Sequence, residues 1–280
     1  MEQVKKIDEL KNILKDLKRV VVAYSGGLDS TFLLKAAIDA LGKDNVLAVT
    51  ARSETYPLAE YKEARAIVVS FDARHLTINT RELNIKNFRS NPVNRCYYCK
   101  KELFRKLNAI KERCGMKHVV DGTNLDDLKD IRHGSKAAKE EGVRRPLLEA
   151  GIAKDDIRRF SKRLRLPTWD KPSFACLASR VPFNERITAA GLKKIEDAEG
   201  RMHKMGFRQV RVRLHGETAR IEIPKNSLSL GLKLKDKIVR ELKNLGFIYV
   251  TLDLEGYRTG SMHKASWIHQ RRSAPFKQKA

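Results

Sequence analysis

The stretch RVVVAYSGGLDSTFLLKAAIDALG, residues 19–42, decides the fold. Val20, Val21 and Val22 form a continuous β-branched run, the pattern of a strand covered on both faces in a parallel sheet. From Ser30 the apolar residues recur at helical spacing, and Gly42 closes the helix. Between strand and helix lie Ser25, Gly26, Gly27, Asp29, Ser30 and Thr31. Two glycines let backbone N–H groups approach an anion closely. The hydroxyls of Ser25, Ser30 and Thr31 add donors, and the helix N-terminus adds its positive end. Asp29 is out of place in a pure phosphate cradle, and a carboxylate there points to a metal ion bridging to phosphate. No Gly-Lys-Ser/Thr ending and no G-x-G-x-x-G is present, which excludes a Walker loop and a dinucleotide fingerprint.

Outward from this stretch the alternation continues. Residues 3–18 read as an amphipathic helix with Val4, Ile7, Leu10, Ile13, Leu14 and Leu17 on one face. NVLAVTA and RHLTINT read as strands two and three, with the helix LAEYKEARAIVVSF between them. CYYCKKELFRKLNAIKERCG reads as a long helix, and KHVVDGT as strand four. Strands alternating with helices imply an α/β fold with a parallel sheet. Beyond Pro182 the pattern becomes helix, hairpin (QVRVRLHG and TARIEIP), helix over 226–245, and strand IYVTLDL. That order suggests a smaller α+β domain. The expected division is 1–183, 184–262, and a tail from His263 to Ala280 with five Lys or Arg and no acids.

The chain has 280 residues, 58 Lys and Arg against 34 Asp and Glu, and a net charge of +24. This favours anionic partners such as nucleotides or RNA. The charge is spread along the chain, so general basicity accounts for it equally well. No apolar run is long enough to span a membrane, and the charged N-terminus lacks the apolar core of a secretory signal, so a cytoplasmic protein is the expectation.

The four cysteines are too few for a disulfide framework. Cys96 and Cys99 form C-x-x-C beside Arg95, Lys100 and Lys101, which favour thiolates. Cys114 closes the same helix and reads as structural. Cys176 stands alone in ACLASR. Three readings fit these thiols: a redox pair, a structural zinc with a fourth ligand, or an iron–sulfur cluster on three cysteines. Asp121, in DGTNLDD at a strand's C-terminal end, is a candidate substrate or metal contact, or a helix cap. Arg180 is a candidate anion contact. Arg211 and Arg213 share one strand face and suit a phosphate, with Glu222 as a partner across the hairpin.

S-G-G-x-D-S after the first strand resembles the pyrophosphate loop of ATP pyrophosphatases, the PP-loop superfamily. These enzymes adenylate a substrate and release pyrophosphate. The resemblance implies an adenine nucleotide α-hydrolase-like domain, with VTARS at 49–53 near the adenine. A longer resemblance covers about residues 5–262. SGGLDSTFLLKAA, RCYYCKKELF, DGTNLDD, RHGSKAAKEEGVRRPLLEAGI, LRLPTWDKPSFACLASRVPF, VRVRLHGETARIEIP and YVTLDLEGYRTGSM fall in the order found in the LarE family. That family comprises ATP-dependent sulfur transferases of nickel-pincer nucleotide synthesis. The resemblance implies adenylation of a pyridinium dicarboxylate mononucleotide with ATP and Mg²⁺, then conversion to a thiocarboxylate. It also implies that Ser25, Gly26, Gly27, Asp29, Ser30, Thr31, Asp121, Arg180, Arg211 and Arg213 bind nucleotide or substrate, in a homo-oligomer. Some members carry one cysteine as a sacrificial sulfur donor. Others carry three, matching Cys96, Cys99 and Cys176, as ligands of a [4Fe-4S] cluster, and this chain has the three-cysteine pattern. His133, Phe174, Glu185 and Arg186 depart from the family's residues. The alternatives are a tRNA-thiolating PP-loop enzyme and a zinc-stabilised nucleotide-binding protein without sulfur chemistry.

Overall fold

A computed structural model describes residues 2–129, 133–172 and 175–258. The basic tail expected over 263–280, and Phe174, lie outside the described residues, as does the side chain of His133. In chain order the helices and strands are α1 (Glu2–Leu17), β1 (Val20–Ala23), α2 (Leu28–Leu41), β2 (Val46–Arg52), α3 (Leu58–Ser70) and β3 (Arg74–Asn79). There follow α4 (Lys86–Arg89), α5 (Arg95–Arg113), β4 (His118–Val120), α6 (His133–Glu140), α7 (Pro146–Glu149) and α8 (Lys154–Arg163). The last are α9 (Ala189–Lys204), β5 (Arg211–His215), β6 (Thr218–Glu222), α10 (Leu228–Lys233), α11 (Lys235–Lys243) and β7 (Tyr249–Leu252).

The chain divides into two compact units. The first combines Met1–Ile85 with Asn94–Phe174, and the second combines Lys86–Val93 with the chain from Ala175 onward. Among the described residues the first unit holds a parallel four-stranded sheet in the order β3-β2-β1-β4. The fold is α/β, as the alternation predicts. Val20, Val21 and Val22 are fully buried because apolar layers cover both faces. Val20 and Val22 join Leu10, Leu14 and Leu17 of α1, Phe32 and Leu33 of α2, and Phe160 of α8. Val21 faces the other way, toward Phe104, Leu107 and Ile110 of α5.

From β1 the strand order runs outward through β2 to β3, and the chain then returns to place β4 on the other side of β1. This reversal makes a crevice at the carboxyl ends of β1 and β4, the place where open α/β sheets bind ligands.

The second unit packs α9 and α11 against a three-stranded sheet in the order β5-β6-β7, around Met202, Phe207, Val212, Ile221 and Leu242. The hairpin is present as expected, with Val212 opposite Ile221 and Arg211 opposite Glu222. β7 is parallel to β6. The single helix expected over 226–245 is two helices that turn at Leu234. Gly231 lets α10 pack close to the chain after β6: a Cβ there would lie 2.8 Å from Ile223 Cδ1. The segment 86–93 joins this unit because Asn91 donates to the carbonyls of Val181 and Pro182, and Ile187 N–H donates to Arg89 O.

Candidate functional site

The loop between β1 and α2 lies at the sheet's reversal point. Gly26 has φ +63°, a left-handed conformation that L side chains rarely adopt. A Cβ there would lie 2.4 Å from Ala64 Cβ, so glycine is required both by backbone conformation and by the fit against α3. Ser25 N–H donates to Ser30 Oγ at 3.2 Å, the two Oγ atoms are 3.1 Å apart, and Ser30 Oγ donates to Gly27 O. These bonds curl the loop onto the N-terminus of α2, which Gly27 begins with extended backbone. Tyr56 Oη donates to Ser25 O at 2.8 Å, and Tyr24 Oη donates to Ala64 O. Burial chiefly, with Glu63 nearby, pushes the Tyr24 phenol up to about 12, so it stays a neutral donor. Burial and the Glu60 carboxylate also raise Tyr56.

Asp29 stands in the first turn of α2, with Lys154 Nζ 3.9 Å from its Oδ2. Thr31 is fully buried one residue beyond Ser30. Across the crevice Asp121 follows β4, is largely buried, and accepts the Thr123 N–H at 3.0 Å. Gly122 backs the loop: a Cβ there would lie 3.0 Å from Ser30 N and 3.1 Å from Asp29 C. The structure therefore brings Ser25, Gly26, Gly27, Asp29, Ser30, Thr31 and Asp121 together at one crevice. Its chemistry is that of an anion site, with N–H groups and a helix N-terminus on one side and carboxylates able to take a divalent cation on the other.

The cysteines are free thiols. Cys96 lies in the first turn of α5 and Cys99 begins the second, Cys96 exposed and Cys99 half-buried, with Cys99 Sγ 3.9 Å from Glu82 Oε1. Cys114 ends α5 and packs on its core, as expected of a structural thiol. Cys176 belongs to the second unit, half-buried just before a short 3₁₀ turn, Leu177–Arg180. Partly exposed thiols are a soft donor set of the kind an iron–sulfur cluster takes. Among the described residues no group of three or more His, Cys, Asp or Glu is arranged as a metal site.

In the second unit Arg180 is 3% exposed. It makes a bidentate pair with Glu199, at 2.8 and 3.0 Å. Glu199 also accepts the Val212 N–H, which ties α9 to β5. Arg180 Nη1 donates to Cys176 O at 3.2 Å, so this buried pair shapes the turn that carries the thiol. Arg213, 1% exposed, donates to Glu222 Oε2 at 2.6 Å and to Ser179 O at 2.8 Å. Arg211 lies over the Tyr257 ring at 4.6 Å. Burial, with Arg180 and Arg213 nearby, holds its guanidinium below its ordinary value despite Tyr257. Arg211, Val212 and Arg213 are all buried, so neither face of β5 is a solvated sheet face. Arg180, Arg211 and Arg213 thus gather near the Cys176 turn.

Residues 4–124 match the NAD synthase family model. An uncharacterized protein of Synechocystis sp. is 41% identical over 266 residues, covering 92% of this chain and 97% of the relative. The pyridinium-3,5-bisthiocarboxylic acid mononucleotide synthase of Lactiplantibacillus plantarum is 39% identical over 250 residues, covering 89% of this chain and 91% of that enzyme. The chain belongs to the LarE family. It is an ATP-dependent sulfurtransferase with a PP-loop domain. An uncharacterized protein of Methanocaldococcus jannaschii is 34% identical over 259 residues, covering 91% of this chain and 98% of the relative. The NAD synthase match holds the loop, β4 and the C-x-x-C, whereas the LarE likeness also takes in Cys176 and the buried arginines. Among the described residues no helix is long and apolar enough to cross a membrane.

Sequence reasoning missed Tyr56, Lys154, Glu82 and Glu199. Glu199 carried the plainest signal, a carboxylate one residue after the buried Ala198 on the inward side of α9.

Proposed function

We propose that this chain adenylates a carboxylate of a pyridinium dicarboxylate mononucleotide and converts it to a thiocarboxylate. The observation that carries the reading is the S-G-G-L-D-S loop at the sheet's reversal point, backed by Gly122 and facing Asp121. Ser25, Gly26, Gly27, Ser30 and Thr31 hold the pyrophosphate end of ATP. Asp29 and Asp121 would hold a Mg²⁺, which would supply charge neutralisation at the phosphates. The substrate carboxylate attacks the α-phosphorus and pyrophosphate leaves. Adenylation is needed because a carboxylate oxygen is a poor leaving group and AMP is a good one. Sulfur then displaces AMP from the acyl carbon. Arg180 shapes the Cys176 turn, and Arg211 and Arg213 face the substrate phosphate with a preorganised positive field. Cys96, Cys99 and Cys176 would hold a [4Fe-4S] cluster, which supplies sulfide when bound. The enzyme works in the cytoplasm as a homo-oligomer.

Two experiments test this. Asp29→Ala is expected to abolish AMP formation while the circular dichroism stays native; retained adenylation removes the loop assignment. Protein purified without oxygen is expected to carry about four iron and four sulfide per chain, lost in Cys96→Ala. Iron-free protein after reconstitution instead makes Cys176 the sulfur donor, recognised by a loss of about 34 Da on turnover as cysteine becomes dehydroalanine.

A further inference from the structure

Lys171, just past α8, lies beside the phosphate loop and takes no part in the reading above. Its Nζ is 2.8 Å from Glu60 Oε2 and 2.9 Å from Glu63 Oε2, both on α3, and 3.4 Å from the carbonyl oxygen of Gly26. The side chain is only 11% exposed, against 22% for Glu60 and 48% for Glu63. The backbone around it is pinned. Lys171 N–H donates to Thr168 O, and the Arg158 guanidinium donates to the carbonyls of Trp169 and Lys171. What can move is the ammonium on its four-carbon stem.

Two carboxylates around one ammonium leave net negative charge beside a loop built to receive a polyanion. A triphosphate arriving there meets repulsion from Glu60 and Glu63 unless the lysine turns toward it. Glu63 is half exposed and Glu60 partly so, so both acids rehydrate when the lysine leaves, which offsets part of the cost of breaking their pairs with it. A phosphate oxygen offers the ammonium a charge-assisted bond in return.

We infer that Lys171 is a nucleotide-phosphate ligand held in reserve by Glu60 and Glu63, exchanging these carboxylates for the phosphates of ATP when nucleotide enters. The inference rests on the loop being the ATP site, and it adds a cation the loop itself lacks. The acids then set affinity: they compete with nucleotide for the same ammonium.

The test is a double-mutant cycle on the full chain, read as the Kd of α,β-methylene-ATP with Mg²⁺ by calorimetry, with adenosine as the phosphate-free control. Lys171→Met is expected to weaken analogue binding about tenfold, a loss of about 1.4 kcal/mol, and to leave adenosine binding unchanged. Glu60→Gln/Glu63→Gln is expected to tighten the analogue several-fold. In the Lys171→Met background the same glutamines are expected to have little effect, because the competition they relieve is gone. A gain that persists without Lys171 is ordinary long-range repulsion and overturns the exchange, as does wild-type analogue affinity in Lys171→Met. Should Lys171→Met fail to fold, Lys171→Arg replaces it. Analogue binding kept within about twofold, with the glutamine gain retained, then supports the inference. Arginine binding that is tenfold weaker, with unchanged adenosine binding, overturns it. Wild-type protein that binds no analogue overturns the ATP site itself, and the Lys171 role with it.

Discussion

At Gly26 two independent constraints meet: a positive φ and a neighbour, Ala64, that leaves no room for a methyl group. Gly26→Ala is expected to cost about 1–2 kcal/mol from the left-handed backbone alone, and to abolish adenylation because the loop must leave α3. Thermal melting and a pyrophosphate-release assay check both; a stable, active variant would refute the packing. Only the first constraint was legible in the sequence. A Gly-Gly at a strand-to-helix junction announces unusual backbone, but no local pattern names Ala64, thirty-eight positions away. Arg213 makes the same point. Alternation placed it on a face with Arg211 and suggested Glu222 as its partner, and that pair forms at 2.6 Å. Its complete burial, and its bond to Ser179 O, follow from packing that alternation does not encode.

Among the elements, α8 shows how charge on a helix is settled by its neighbours. Its third residue, Asp156, accepts from Lys6 Nζ at 2.9 Å, from Arg159 at 2.7 Å and from its own cap's Ala153 N–H. Burial pushes this carboxyl up, but those hydrogen bonds outweigh burial and hold it below the usual carboxylate range. A depressed carboxylate contributes stability above its unfolded value, and that contribution is lost as pH falls through the folded value. Asp156→Asn is therefore expected to lose about 1–2 kcal/mol at neutral pH, with the deficit shrinking in acid below the usual carboxylate range. Denaturant titrations at pH 7 and pH 3 measure it, and a deficit equal at both would show the charge to be irrelevant. The helix itself rests on local spacing, with Ile157 and Phe160 three apart on its buried side. Its anchoring to α1 through Lys6 does not, since the two residues are 150 positions apart.

For the molecule as a whole, the +24 charge is spread along the chain, and such an excess repels itself in the folded state. Raising NaCl from about 0.01 to 0.15 M shortens the screening length from about 30 to 8 Å. The melting temperature is expected to rise by a few degrees over that range, and sucrose, which does not screen charge, serves as the control. A melting temperature that falls with salt would mean that attractive pairs, such as Arg180 with Glu199, outweigh the global excess.

By itself the sequence determined the parallel α/β domain, the glycine loop after its first strand and the spacing of its thiols. Each of these is written in neighbouring residues: hydrophobic period, glycine placement, C-x-x-C spacing. Only the tertiary structure decided that Gly122 and Asp121 face the loop, that segment 86–93 belongs with the second unit, and that Lys171 is held by Glu60 and Glu63. Those relations join residues far apart in the chain, and they arise from strand order and packing.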